Sequence, residues 1–257
     1  MPQRLKDFGH KLLHLVSIRR WQSAIESADT VDLDSLKKLR IQAAQLRKQV
    51  EKFTHIANGR LALPRIGSNA IRKPAQADWS YRPEIWRGPI SPFGIAAIRS
   101  KTRVGTAATL YHDCKTSEIT IRQVRNTREN DLAPFGLRMD VFKFDGSFLS
   151  LLLELPDSII DGLRGNHVIA INAELESEKS LKVFARLNIK FGPNVEQIVC
   201  ELPSGDKNTM VEFDLAHIQI NEKRLERIWV DLTFEDPQMN EINLRDINFN
   251  RRPRADF

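Results

Sequence analysis

The chain has 257 residues, 41% of them hydrophobic and 28% charged, with a formal net charge of +6. This is enough to bury a substantial core, and no apolar run approaches the roughly 20 residues a membrane-spanning helix needs. Only Cys114 and Cys200 are present, too few for a disulfide framework and without zinc or redox spacing, so both are expected as free thiols.

The charge is uneven. Residues 1–57 carry +5, residues 58–106 carry +7 and residues 107–257 carry −6. A basic first third facing an acidic remainder suits either a polyanionic or anionic-membrane partner or an arm lying against its own domain.

Leu5, Phe8, Leu12, Leu15 and Val16 share one helical face, with Arg19 intruding and Trp21 and Ile25 off the stripe. The N-terminus also carries Arg4, Lys6, Asp7, His10 and Lys11, which break the apolar core a secretory signal requires; the expectation is a cytoplasmic protein, or one peripheral to the inner membrane. After caps available at Asp29 to Asp34, a cleaner pattern follows: Leu36, Leu39, Ala43, Leu46, Val50, Phe53 and Ala57, spaced 3-4-3-4-3-4. That is a coiled-coil seam, and three heptads need a partner. The short Asp29 to Asp34 connection favours a hairpin with the first helix; self-association through Leu36, Leu39, Leu46, Val50 and Phe53 is the alternative. Asn58-Gly59 is expected to end the helix.

Residues 59–106 lose periodicity and gain prolines and glycines, yet hold Trp79, Tyr81, Trp86 and Phe93. The expectation is an extended arm, anchored by these rings on a β domain at 107–257.

Strand-like runs then succeed one another: 107–111, 119–125, 137–144, 147–155, 168–175, 181–191, 195–202, 210–215, 228–234 and 242–249. Asp145-Gly146 reads as a compact turn joining the third and fourth runs. In 181–191, Leu181, Val183, Ala185, Leu187, Ile189 and Phe191 alternate with Lys182, Arg186, Asn188 and Lys190, the period of a strand buried on one face. About ten short strands without intervening amphipathic helices predict an all-β, antiparallel, jelly-roll-like sandwich behind an N-terminal helical hairpin.

The common catalytic signatures are absent, so no catalytic residue or cofactor is assigned and the chain reads as a non-catalytic binding or scaffold protein; a carbohydrate-active enzyme is the third reading, since a glycosidase needs only two carboxylates that no motif announces. No nucleic-acid motif stands out. His10 and His14 have metal-ligand spacing on a helix, but no Asp, Glu or Cys completes a shell. His112-Asp113-Cys114 reads as loop chemistry, and Arg251-Arg252-Pro253-Arg254 as a charged tail.

The polar positions of the strands are more informative. Trp229 stands among Asp231, Arg186, Asn188 and Arg245 in the predicted wet faces. An exposed indole beside such groups is how a sheet holds a sugar, the ring stacking while polar atoms take hydroxyls. The competing expectation is that the aromatic arm covers Trp229.

Two segments, Ala185 to Pro203 (ARLNIKFGPNVEQIVCELP) and Arg227 to Phe257 (RIWVDLTFEDPQMNEINLRDINFNRRPRADF), resemble an uncharacterised domain-of-unknown-function family of Rhodobacter-like alphaproteobacteria. That resemblance implies no activity and no site residue. The closing strands, with Trp-x-Asp, an Asp-Pro turn and Arg-Asp, also look like those of galactose-binding-like and carbohydrate-binding sandwiches, which implies a lectin-like fold and a glycan partner.

Overall fold

The structure is a computed structural model that describes residues 15–62, 70–116, 118–203 and 208–254. It divides into two units, 1–54 and 55–257.

In the first unit, helix α1 is described over residues 15–26, and α2 (Leu33–Ala62) continues past residue 54 into the second. The Asp32 carboxylate caps α2 by accepting from Asp34 N at 3.1 Å and Ser35 N at 2.9 Å. Arg20 Nη2 donates to Gln42 Oε1 at 2.9 Å, so the two helices fold back on each other. Trp21 and Ala24, rather than the Leu15 and Val16 stripe, turn inward with Leu36, Leu39 and Ala43. Leu46, Val50 and Phe53 remain exposed. Contrary to expectation, α2 runs through Asn58-Gly59 to Ala62: one glycine costs a helix only about 1 kcal/mol, too little to stop it. His10 and His14 lie outside the described residues.

The second unit is an antiparallel β-sandwich whose chain passes repeatedly from one sheet to the other. Its described strands are β1 (Trp79–Tyr81), β2 (Gly94–Ile95), β3 (Thr102–Val104), β4 (Ala108–His112), β5 (Ile119–Arg125), β6 (Phe135–Val141) and β7 (Leu149–Glu154). Then come β8 (His167–Ser177), β9 (Val183–Phe191), β10 (Asn194–Leu202), β11 (Asn208–Asp214), β12 (Leu225–Phe234) and β13 (Asn240–Pro253). One sheet runs β11-β8-β13-β6-β5-β2, with β1 also on β13; the other runs β10-β9-β12-β7-β4-β3.

Alternation does the sorting. Val183, Ala185, Leu187 and Ile189 of β9 meet Ile228, Val230, Leu232 and Phe234 of β12 and Leu149, Leu151 and Leu153 of β7 in one core. β9 and β10 form a hairpin through Gly192-Pro193; Gly192, at φ +54°, takes the left-handed position that the tight turn needs.

The Asp145-Gly146 turn does not make a hairpin. β6 and β7 belong to different sheets, because both bury apolar faces against one core from opposite sides. The crossing is held by the Asp113 carboxylate, which accepts from Ser147 N at 2.7 Å, Ser147 Oγ at 2.6 Å and Phe148 N at 3.2 Å.

The segment before residue 107 is woven into the sandwich, supplying β1, β2 and β3 to its two sheets. The short helix α3 (Glu84–Arg87) buries Ile85 and Trp86 completely. Trp86 Nε1 donates to Leu244 O at 2.8 Å, while Gln123 Nε2 donates to Ile85 O and Gly88 O at 2.6 and 2.7 Å. The Arg251 to Arg254 run is not a solvated tail. Arg251 is buried and clamped by Asp78, Ile159 O and Asp161 O, while Arg252 pairs with Glu212 and Arg254 with Asp214. These acids sit on strands and turns brought alongside β13 by pairing, a neighbourhood that local charge counting does not reveal.

Candidate functional site

The outer face of the six-stranded sheet is where the predicted polar positions converge. Antiparallel pairing places Trp229 of β12 between Asn188 of β9 and Glu154 of β7, and Asp231 between Arg186 and Leu152. On the far side of β9, Gln197 pairs with Asn188. These rows floor an open cavity of about 480 Å³, whose walls include Tyr111, Phe148 and Thr233.

One hydrogen-bond network pins its polar floor. Arg186 donates through Nε at 3.1 Å and Nη2 at 2.9 Å to Asp231 Oδ2, and Asn188 Nδ2 donates to the same oxygen at 3.0 Å. Gln197 Nε2 donates to Asn188 Oδ1 at 2.9 Å. Asn188 and Asp231 are therefore buried at 1% and 6% exposure although they lie on an outer face. Three donors converge on Oδ2, which leaves Asp231 Oδ1 as an acceptor for an incoming hydroxyl.

Trp229 is half-buried, but not by the arm. The Arg227 guanidinium lies 4.7 Å from the indole centroid and is held by a bidentate bond to Glu154, with Nε to Oε2 at 2.9 Å. Arg227 was not singled out in the sequence; its place two residues before Trp229 on the same strand face was the available signal. That bond raises the Arg227 pKa further, although burial opposes the charge.

Every cation on this floor has its own acid: Arg186 has Asp231, Arg227 has Glu154, and Lys190 Nζ lies 2.6 Å from Glu226. The surface is thus amphipathic and close to neutral, with one tryptophan, one tyrosine and a fixed set of hydroxyl-scale donors and acceptors.

Arg245 does not join it. It lies on β13 in the seven-stranded sheet at 8% exposure, bound to Asp131 through Nη2 at 2.5 Å. β13 pairs with β8 and β6 and not with the strands that carry Trp229, so its outward face lies on the other side of the sandwich. Nor does the aromatic arm cover Trp229. Trp79 and Tyr81 sit on β1 against β13, Trp79 Nε1 donates to Ser158 Oγ at 3.1 Å, and Trp86 is in the core.

Elsewhere, His112 is buried, with Cys114 N donating to its Nδ1 at 3.2 Å. Its Nε2 therefore carries the proton that meets Ile98 O at 3.0 Å, a structural role. Cys114 and Cys200 are free and half-buried, and burial raises both thiol pKa values. Among the described residues no group of three His, Cys, Asp or Glu side chains is placed to hold a metal ion, and no helix is long and apolar enough to cross a membrane.

A family 11 carbohydrate-binding module from Clostridium thermocellum, in complex with a β-1,3-1,4-mixed-linked tetrasaccharide, is 11% identical, with 64% of this chain covered, all of that one, and a TM-score of 0.38. The C-terminal family 22 carbohydrate-binding module of Clostridium thermocellum Xyn10B is 10% identical over 72% of this chain and 98% of its own, at a TM-score of 0.34. The enzymatically active domain of bacteriophage CBA120 tailspike protein 4 is 8% identical at a TM-score of 0.40; 56% of this chain is covered, against only 19% of the tailspike chain. With TM-scores below 0.5 these likenesses carry no conclusion about what the chain binds. No curated protein matches the sequence. The model of a family of unknown function, DUF6478, matches residues 1–257, and the chain belongs to that family.

Proposed function

We propose that this member of DUF6478 is a non-catalytic glycan-binding protein that holds a neutral saccharide on the outer face of its six-stranded sheet. The observation that carries the reading is the floor of the 480 Å³ cavity: Trp229 beside the Arg186–Asn188–Asp231–Gln197 network, with each neighbouring cation already matched by a carboxylate. With one face of Trp229 facing Arg227, the other takes a sugar ring, and Asp231 Oδ1 with the Gln197 amide takes its hydroxyls, while Asn188, its amide fully used, holds both in place. A matched charge set favours an uncharged ligand, because an acidic sugar would leave its carboxylate without a free cation.

Affinity electrophoresis through gels containing neutral soluble polysaccharides, with dextran sulfate as the charged control, tests this. The expected result is retardation by a neutral polysaccharide that Trp229→Ala abolishes and Arg252→Ala preserves. Retardation by dextran sulfate alone, or retardation indifferent to Trp229→Ala, overturns it.

A second reading concerns the helical unit. Leu46, Val50 and Phe53 are exposed beside Arg47 and Lys48, an apolar and basic surface suited to an anionic lipid interface. Sedimentation with phosphatidylglycerol vesicles, lost when the three apolar residues are changed to Ser, supports peripheral membrane docking; a dimer that the same changes dissociate supports self-association instead.

A further inference from the structure

The opposite face of the sandwich contains an anomaly that packing does not require. On β13 the residues Asp246, Asn248 and Asn250 occur at every second position and point out of the core, yet their exposures are 8%, 5% and 1%. Outward positions of an antiparallel sheet are normally wet. Here they continue across β8, because Asn172 pairs with Asn248 and Glu174 with Asp246.

The polar groups form a directed chain. Asn172 Nδ2 donates to Asn248 Oδ1 at 3.1 Å, and Asn248 Nδ2 to Asp246 Oδ2 at 3.2 Å. Arg82, itself 2% exposed, grips the same carboxylate through Nε at 2.8 Å and Nη2 at 2.7 Å. At the end of the column, neither amide atom of Asn250 has a partner among the described residues. A buried unpaired amide costs about 1–3 kcal/mol, whereas valine would fill such a strand position at no polar cost.

Asp246 and Asn248 of this column, with Asn172, floor a cavity of about 520 Å³, walled on the β11 side by Thr209 and Met210, on the β8 side by Glu174, and otherwise by Arg72, Asn130 and Leu132. The volume falls within the range of small-molecule sites. The chain leaves usable valences in it: Asn172 Oδ1 accepts, the second hydrogens of both amides donate, and Glu174 accepts or donates with its protonation. Burial first, then the charge of Asp131, raises the Glu174 pKa. Among the described residues no aromatic ring lines the cavity, so a ligand lies edge-on against amides and is not stacked.

We propose that this cavity is a second site, on the sheet opposite Trp229, for a small neutral polyol such as a single sugar residue. Asn172 and Asn248 recognise adjacent hydroxyls, and Met210, 53% exposed, covers the apolar side of the ring. A hydroxyl both donates and accepts, which matches an amide ladder better than a charged group does, since Asp246 is already neutralised by Arg82 and the lining's remaining cation, Arg72, is offset in charge by Glu174. Two polar cavities on opposite sheets make the sandwich bivalent.

The test is a ¹H–¹⁵N titration of the full chain, following the side-chain amide signals of Asn172 and Asn248, with glucose, galactose, mannose and xylose as saccharide probes and trialanine as a peptide probe. The expected result is saturable movement of both amides with at least one saccharide, retained in Trp229→Ala and weakened at least tenfold in Met210→Trp, which crowds the mouth from an exposed position. Movement retained in Trp229→Ala while Trp229-dependent binding fails sinks only the first site. No saccharide-induced movement, movement with trialanine instead, or movement unaffected by Met210→Trp overturns the second site.

Discussion

The two outer faces of the sandwich are built from the same alternating pattern and have opposite fates. On the six-stranded sheet, Arg186, Trp229 and Gln197 stay partly in water around a pinned acid. On the seven-stranded sheet, Arg82, Asp131, Arg245 and Asp246 are taken almost fully out of water and paired. The difference lies in what each face receives from the rest of the chain. β1 and the Arg82 segment are laid along β13, and the Asp131 loop reaches Arg245, whereas among the described residues of the sandwich unit no such segment crosses β12. A paired charge stabilises a fold only in the context that surrounds it; left in water the same pair contributes little.

The largest effect is expected where that contrast is sharpest. Arg82→Ala leaves Asp246 buried without its bidentate partner and should cost about 3–5 kcal/mol in chemical denaturation, against no more than about 1 kcal/mol for Arg227→Ala on the open face, whose partner Glu154 stays partly in water. Equal costs would erase the distinction between the faces.

Trp86→Ala and Trp229→Ala make the next comparison. The first empties a fully buried site and strands Leu244 O, an expected loss of about 3–5 kcal/mol; the second should cost less than about 2 kcal/mol while removing saccharide binding. Calorimetric melting and affinity electrophoresis on the two variants separate the roles.

Smaller effects follow from acid titration. Burial raises the pKa of Asp78, but the hydrogen bonds and charge of Arg251, with His167, outweigh it and hold the carboxyl below its ordinary range. A lowered folded-state pKa means stability that is present above the unfolded value and lost as pH falls through the folded one, so the loss is expected below about pH 4. Asp78→Asn should flatten that acid limb and cost about 1–2 kcal/mol at neutral pH, a modest figure because the side chain is 38% exposed.

Glu174 has the reverse sign. Its raised pKa favours the folded state while protonated, so that contribution is complete below the unfolded value and disappears as pH rises through the folded one. Glu174→Gln is therefore expected to stabilise the protein at neutral pH by no more than about 1 kcal/mol, read from the denaturation midpoint. Destabilisation would mean that Arg245 and Arg128 depend on its charge.

Much of this was legible in one dimension. The alternation in 181–191 and 228–234 identified the inner face of β9 and β12 and, by subtraction, four of the five residues expected at the sugar face. Arg245 does not stand with them because β13 pairs into the opposite sheet, and no local pattern announces which sheet a strand joins. Arg227 escaped notice because its role depends on Glu154, 73 residues away.

Local chemistry thus determined the period of each strand, the α2 cap, the turn at Gly192-Pro193 and the all-β class, because these rest on neighbours in the chain. Tertiary structure decided the rest: which sheet each strand joined, that the arm is woven into the sandwich instead of covering Trp229, and that the basic C-terminal run is paired. Each depends on contacts between residues far apart in sequence, where the free energy of burial and pairing is set by the partner that arrives and not by the residue that waits.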